Sequence, residues 1–259
     1  MKSLWRFPFT RPAAIFTLGF LYVPILVLVV LSFGAEDSIA RWSGFSLRWY
    51  AEVWDNDTML RTIRNSLTVA VFAMLFGTAA ATMAALALAR GTFRGKTIAA
   101  LLLGLPLVVP EIVAGISVLL FFVLVGIRLG ITSIILAHIV FVIPYAYLPI
   151  RARLDGMDPA LVEAAADLYA PRWTAFYRII LPLIWPGIAA GATLAFIGSL
   201  GDVVVSYFVS GPGATTLPVY VFSMVRMGVT PVVNAVSTLL LAASIAVFSL
   251  SYLVSRSKG

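Results

Sequence analysis

Glu163-Ala164-Ala165-Ala166-Asp167-Leu168-Tyr169, followed by Ile179-Ile180-Leu181-Pro182, is a polar, helix-compatible segment in a chain that is otherwise largely apolar. Asp158 can cap a helix here, and Pro159 then takes the first helical position, where its missing N–H costs nothing. Leu161, Ala165 and Leu168 fall on one face at helical spacing, with Glu163 and Asp167 one turn apart beside it. Tyr169-Ala170-Pro171 ends the helix, because the residue before a proline avoids the α region. A second short helix from Pro171 carries Arg172 and Arg178 and runs into the apolar span that starts at Leu181-Pro182. The segment therefore reads as helix, turn, helix, lying against a membrane. An apolar stripe on an exposed loop marks a docking surface.

The surroundings support that placement. Of 259 residues, 61% are hydrophobic and only 11% charged, against about 25% charged in a soluble domain. The mean hydropathy is +1.04, so the chain belongs in a bilayer. Its net charge of +7 forms no patch of the kind that binds nucleic acid. The basic residues punctuate apolar runs and report topology instead. With no cysteine and one histidine, disulfides and thiolate metal sites are excluded and a metal centre is not expected. The basic N-terminus leads into a long apolar run with no Ala-x-Ala cleavage site, which reads as a retained first span.

Six apolar stretches are long enough to cross a hydrocarbon core of about 30 Å. They lie near 12–34, 66–89, 97–125, 130–150, 181–205 and 231–254, within one transmembrane domain over 1–259. Between them fall a cytoplasmic loop at 151–180 and external segments at 35–65 and 206–230. One set of loops and termini holds Lys2, Arg6, Arg11, Arg90, Arg94, Lys96, Arg151, Arg153, Arg172, Arg178, Arg256 and Lys258, twelve of the eighteen basic residues. The other side holds Arg41, Arg48, Arg61, Arg64, Arg128 and Arg226, together with Glu36, Asp37, Glu52, Asp55 and Asp57. The positive-inside rule puts both termini, and the loop at 151–180, in the cytoplasm.

Within the spans a few residues stand out. Span three contains Pro106, Pro110 and then Glu111, and the prolines are expected to kink the helix rather than end it. Span five ends at Gly201-Asp202. An acid inside a span costs on the order of 2.5–3.5 kcal/mol and marks a pathway or a buried pair. Asp202 has both readings open: a pathway charge, or a pair with Arg226 or with a partner subunit. His138 in span four reads as a satisfied packing group. Gly187-x-x-x-Gly191 allows close approach of another helix. Trp42, Phe45, Trp49, Tyr50 and Trp54 crowd the first external segment, either as interfacial aromatics or as an aromatic wall at the mouth of a pathway. Leu217–Met227 is apolar but too short to span, so an interfacial or re-entrant helix is expected there.

The spacing of Glu-Ala-Ala and of Ile-x-Leu-Pro sixteen residues after the glutamate resembles the cytoplasmic signature of bacterial ABC importer permeases. The likeness extends over nearly the whole chain. Thr92-Phe93-Arg94-Gly95-Lys96, the run from Phe208 to Pro218, and Met224 to Val229 with Pro231 and Asn234 are similar to the smaller permease subunit of spermidine/putrescine importers. The resemblance implies an all-α integral membrane fold: six transmembrane helices of the type I importer permease kind, with a cytoplasmic coupling helix, in a bacterial inner membrane. It implies as partners a second, homologous permease in a heterodimer, an ATPase dimer, and a periplasmic substrate-binding protein, with membrane lipids around them and no nucleic acid. ATP and magnesium would sit on the ATPase and no cofactor on this chain. Glu163, Ala164, Ala165, Asp167, Tyr169, Leu181 and Pro182 map to the ATPase-coupling element, and Glu111, Asp202 and Trp49, joined by Tyr145, to the substrate pathway. Two positions depart from the family pattern. Tyr169 stands where glycine is usual, and glycine suits a tight turn that tyrosine resists. Gly201-Asp202 stands where polyamine members commonly show two consecutive acids, which leaves other amines, amino acids and betaines open as cargo.

Two other functions fit an apolar chain of this length less well. A stand-alone secondary transporter or channel predicts pseudo-repeats and paired polar residues in several spans, and leaves the loop at 151–180 without a purpose. An intramembrane enzyme needs a nucleophile with its base, or a metal cluster, and the sequence offers neither. No Gly-x-x-x-x-Gly-Lys-Ser/Thr run is present, so this chain is expected not to hold ATP itself.

Overall fold

The computed structural model describes residues 10–37, 42, 44–228 and 230–256. Lys2, Arg6, Arg41 and Lys258 of the charge argument lie outside the described residues. The elements in order are α1 (Thr10–Leu31), α2 (Arg48–Asp55), α3 (Asp57–Arg90), α4 (Lys96–Val108), α5 (Glu111–Val125), α6 (Ile131–Asp155), α7 (Ala160–Asp167), α8 (Arg172–Ala175), a π turn (Phe176–Ile180), α9 (Leu181–Gly201), α10 (Val204–Val209), α11 (Leu217–Met227) and α12 (Pro231–Arg256). Five of these runs are long and apolar enough to cross a membrane, and the bent pair α4–α5, counted as one span, makes six. The fold is all-helical, as the sequence implies.

The chain divides into two compact units, Met1–Leu60 with Val221–Ala243, and Arg61–Tyr220 with Ser244–Gly259. In the first, α1 buries none of its residues and exposes Ile15, Phe16 and Phe20, as a lipid-facing helix does. The turn after it is locked to α2. Trp49 Nε1 donates to the Gly34 carbonyl at 2.8 Å, Ser32 Oγ meets the Tyr50 hydroxyl at 2.7 Å, and Phe33 packs against Phe45 and Tyr50. Arg48 pairs with Asp37 and lays its guanidinium 4.0 Å from the centre of the Trp49 ring.

In the second unit α6 is the spine. It continues through Pro144 and Pro149, which a bundle tolerates because neighbouring groups satisfy the freed carbonyls. Ala73, Ala81 and Ala85 of α3, Val142, Ala146 and Ile150 of α6, and Ile184 and Ala195 of α9 form one core. Between helices in lipid, close packing rather than the hydrophobic effect drives association, so small residues decide where backbones meet. A Cβ on Gly191 would lie 2.7 Å from the Ala146 carbonyl oxygen, and one on Gly187 would lie 2.9 Å from that of Pro149. The Gly187-x-x-x-Gly191 pair is thus the seam between α9 and α6. Gly191→Val should destabilise the fold by about 3 kcal/mol, because backbone cannot move aside. Gly104→Ala, with nothing within 4 Å of the added Cβ, should be tolerated. Thermal unfolding of both variants in detergent checks this, and a Gly191→Val protein as stable as the parent would contradict the seam.

Span three is broken, not kinked. α4 ends at Val108, Val109 is extended (φ −70°, ψ 131°), and α5 starts at Glu111 at 112° to α4. Pro110 forces this, since it excludes Val109 from the α region and has no N–H to continue the ladder. The fifth span differs at both ends. The helical run covers Arg172–Gly201 and passes through the π turn, in which Leu181 N–H reaches back to the Phe176 carbonyl. The wider turn accommodates Pro182, whose ring would clash with the carbonyl of Arg178 in a regular helix. The run stops at Gly201 because Asp202 is extended (φ −69°, ψ 129°). A short helix, α11, occupies Leu217–Met227.

Candidate functional site

Two features built by the second unit carry the residues singled out in the sequence. The first is a cavity of about 610 Å³. The α4–α5 break contributes Pro106, Leu107, Val109 and Glu111; α6 contributes His138, Phe141 and Tyr145; the end of α9 and start of α10 contribute Ser199, Asp202 and Val205. Three of the four pathway candidates, Glu111, Tyr145 and Asp202, therefore line one space, although they are far apart in sequence. Trp49 is in the other unit and lines a separate recess of about 330 Å³ with Glu52 and Met59. Its N–H is held by Gly34, and one face of its ring is covered by Arg48.

Asp202 sits at the junction between α9 and α10 and caps the latter. Its Oδ2 accepts the Ser206 N–H at 2.8 Å and its Oδ1 the Val205 N–H at 3.4 Å. Behind it lies His138, which is buried. The Nε2 of that ring is 3.2 Å from Asp202 Oδ2 and 3.0 Å from Ser206 Oγ, and its Nδ1 is 2.7 Å from Ser199 Oγ. Within this unit the partner of Asp202 is His138; in the other unit the Arg226 guanidinium lies over the Phe222 ring. His138 is a fully hydrogen-bonded buried group, in keeping with the packing role, and also the partner of an acid. The sequence reading missed that second part. The signal available was Ser199 and Ser206 flanking Asp202, opposite the chain's one histidine. Glu111, at the first turn of α5, is exposed to the cavity and forms no ion pair among the described residues.

The second feature is the segment Ala160–Ile180. The Asp158 carboxylate accepts the Ala160 N–H at 2.9 Å and α7 follows. Ala165 is buried, whereas Glu163, Ala164 and Asp167 are exposed, and Glu163 edges a recess of about 370 Å³ with Ala89, Leu154, Met157 and Val162. Leu168 is 81% and Tyr169 95% exposed. Trp173 and Tyr177 are stacked with ring centres 6.2 Å apart, and both are exposed. These aromatics extend the apolar surface beyond the residues picked from sequence. Leu181 and Pro182 open α9 and are not part of the exposed loop.

Tyr169 is the sole non-glycine residue with positive φ (54°) among the described residues. The Ala170 N–H returns to the Ala165 carbonyl at 3.0 Å, so this left-handed residue closes the C-terminus of α7 as a glycine would. A tyrosine in that conformation costs on the order of 1 kcal/mol. Tyr169→Gly should therefore raise, or leave unchanged, the thermal stability of the protein in detergent, and a less stable Tyr169→Gly variant would show that the ring itself holds the turn.

Comparison with known proteins fits this geometry. The family of binding-protein-dependent transport system inner membrane components matches residues 77–258. The spermidine/putrescine transport system permease protein PotC of Escherichia coli (strain K12) is 42% identical over 240 residues, covering 93% of this chain and 91% of that protein. The putrescine transport system permease protein PotI of the same organism is 42% identical over 268 residues, covering 100% of this chain and 93% of that protein. Among solved structures, a bacterial ABC transporter that imports the acidic polysaccharide alginate superposes with a TM-score of 0.75 at 19% identity, covering 95% of this chain and 93% of that one. The MetNI methionine ABC transporter, in inward-facing conformations, gives a TM-score of 0.69 at 18% identity, with 81% and 98% covered. The chain belongs to the family of inner membrane components of binding-protein-dependent transport systems, and its fold is that of an ABC transporter permease.

Proposed function

We propose that this chain is one permease subunit of an ATP-driven importer that moves polyamines such as putrescine or spermidine from periplasm to cytoplasm. The observation that carries the cargo reading is the convergence of Glu111 and Asp202, two acids of membrane-spanning segments, on one cavity with the Tyr145 ring. Carboxylates offset the charge of an amine in a poorly hydrated centre, and aromatic faces attract cations and cover a methylene chain. The 42% identity to permease proteins of spermidine/putrescine and putrescine systems supports the same cargo. On this reading the cavity supplies charge compensation and the periplasmic binding protein supplies most of the selectivity.

The partners follow from the family. A homologous permease completes the pathway, an ATPase dimer carries ATP and magnesium, and α7 with Tyr169, Trp173 and Tyr177 docks on that ATPase. Support for the docking comes from the exposed apolar and aromatic groups at Leu168–Tyr177 and from the twelve-to-six split of basic residues, which favours a cytoplasmic side for this loop and both termini.

Two measurements test the proposal. The tagged chain, expressed with its neighbours, should bring an ATPase with it on purification, and cells should take up labelled putrescine or spermidine in a manner dependent on this chain. For topology, the absence of cysteine allows single cysteines at Ser3, Thr92 and Ser257. An impermeant thiol reagent applied outside intact cells should label none of them, and labelling at Thr92, in the exposed turn between α3 and α4, would reverse the orientation.

A further inference from the structure

The His138 imidazole bridges three elements: α6, which carries it; the end of α9, through Ser199 and Asp202; and α10, through Ser206. At the α9–α10 junction Asp202 is extended and Val203 is already back in the helical region, so the chain changes direction at the acid itself. Within it, Asp202 Oδ2 is filled by the Ser206 N–H and faces His138 Nε2, whereas Oδ1 has only the long contact to Val205 N–H. The carboxylate is thus gripped mainly by one oxygen, the other keeps acceptor capacity, and the residue lines the cavity. Resting on the amine-import reading, we propose that His138 is a positioning residue for cargo: the Ser199–His138–Ser206 clamp sets the direction of the Asp202 carboxylate in the cavity.

The ring is suited to this by geometry. It is planar, buried and held from both nitrogens, so it cannot rotate without breaking two hydrogen bonds to serines on different elements. Ser199, His138 and Asp202 all border the cavity, but the Asp202 side chain is 18% exposed against 2% for His138. Both ring nitrogens of His138 are taken within the network, so its action on cargo passes through the acid. A side chain that only filled space would affect the amount of folded protein and leave the affinity of the cavity unchanged.

The experiment is a double-mutant cycle on the assembled importer in proteoliposomes, with labelled putrescine delivered by the cognate binding protein. His138→Leu keeps bulk and removes both polar contacts, and His138→Gln keeps one donor near the position of Nε2. In assembled complexes we expect His138→Leu to raise the KM for uptake about tenfold with a smaller change in maximal rate, and His138→Gln to recover most of that loss. Against an Asp202→Asn background, His138→Leu should add little, since its effect passes through the carboxylate. Multiplicative losses in the double variant, or a fall in assembled protein with unchanged KM, would overturn the inference. Parental uptake in Asp202→Asn itself would instead remove the cargo reading on which it rests.

Discussion

Uptake falls at least tenfold in Glu163→Lys, while capture of cargo by the binding protein is unchanged: this is the expected result for a charge reversal on α7. Glu163 is exposed in the first turn of that helix, where a negative charge is favoured by the helix dipole. Reversing it costs the isolated helix about 0.3–1 kcal/mol, too little to unfold a helix that also buries Ala165. The local fold should therefore survive, and a large functional loss must come from outside the chain. A partner surface that accommodates a carboxylate at the edge of the recess formed with Ala89, Leu154 and Met157 would meet a lysine instead, at a cost of about 2–5 kcal/mol for a desolvated contact. Simultaneous measurement of uptake and ATP hydrolysis separates the two forms of failure. Hydrolysis without uptake indicates uncoupling, and loss of the ATPase on purification indicates a broken joint. Parental uptake would show that α7 does not dock through this face.

Asp202→Asn is expected to slow amine uptake by roughly ten- to a hundredfold, in line with the loss of one charged hydrogen-bonding group from a desolvated site. The substitution preserves shape. The amide oxygen can still accept the Ser206 N–H at the Oδ2 position, beside His138, while the amide nitrogen takes the Oδ1 position and loses only the long Val205 N–H contact. Removing the charge also lowers the cost of placing this junction in the bilayer, which for an acid is about 2.5–3.5 kcal/mol. Chain insertion and assembly with the ATPase should thus be as good as in the parent. A slower importer that is present at parental level is the signature of a pathway acid. Uptake at the parental rate by correctly assembled Asp202→Asn would rule out charge compensation at this position.

Local rules reached the elements but not their meetings. Asp158, Pro159 and Pro171 bracket α7 by capping and proline sterics alone, and Leu217–Met227 stands out as an apolar run too short to span. Pro110 was visible, but whether a proline bends or breaks a span depends on what satisfies the freed backbone, which is a tertiary matter; here the chain turns by 112°. Glu111, Tyr145 and Asp202 could each be picked out as unusual in an apolar span. Their convergence depends on α6 lying against both α9 and the α4–α5 break, which no single segment encodes. Gly187 and Gly191 announced a close approach and not the helix approached. The sequence offers Arg226 as the basic residue nearest to Asp202, whereas the contact with His138 of α6 depends on how α6 packs against α9, which neither segment encodes alone. Tyr169 shows the reverse case: sequence identified the conformation the turn needs, and the chain adopts it with an unfavourable residue.

The interrupted third span has a consequence for how a charged cargo is wetted. A helix leaves its last carbonyls without internal donors, and at the end of α4 the next residue but one, Pro110, has no N–H to offer. Pro106, Leu107 and Val109 lie on the wall of the cavity with the two acids, so the segment whose carbonyls lose helical donors borders it. These oxygens are dipoles without net charge. On the proposed function, an ammonium entering the cavity would find in them part of a hydration shell, with Glu111 and Asp202 to balance its charge. Dividing the task in this way would keep the hold on the cation shallow. A shell of dipoles can be exchanged for water one ligand at a time, whereas a cavity that relied on carboxylates alone would trap the ion it is meant to release.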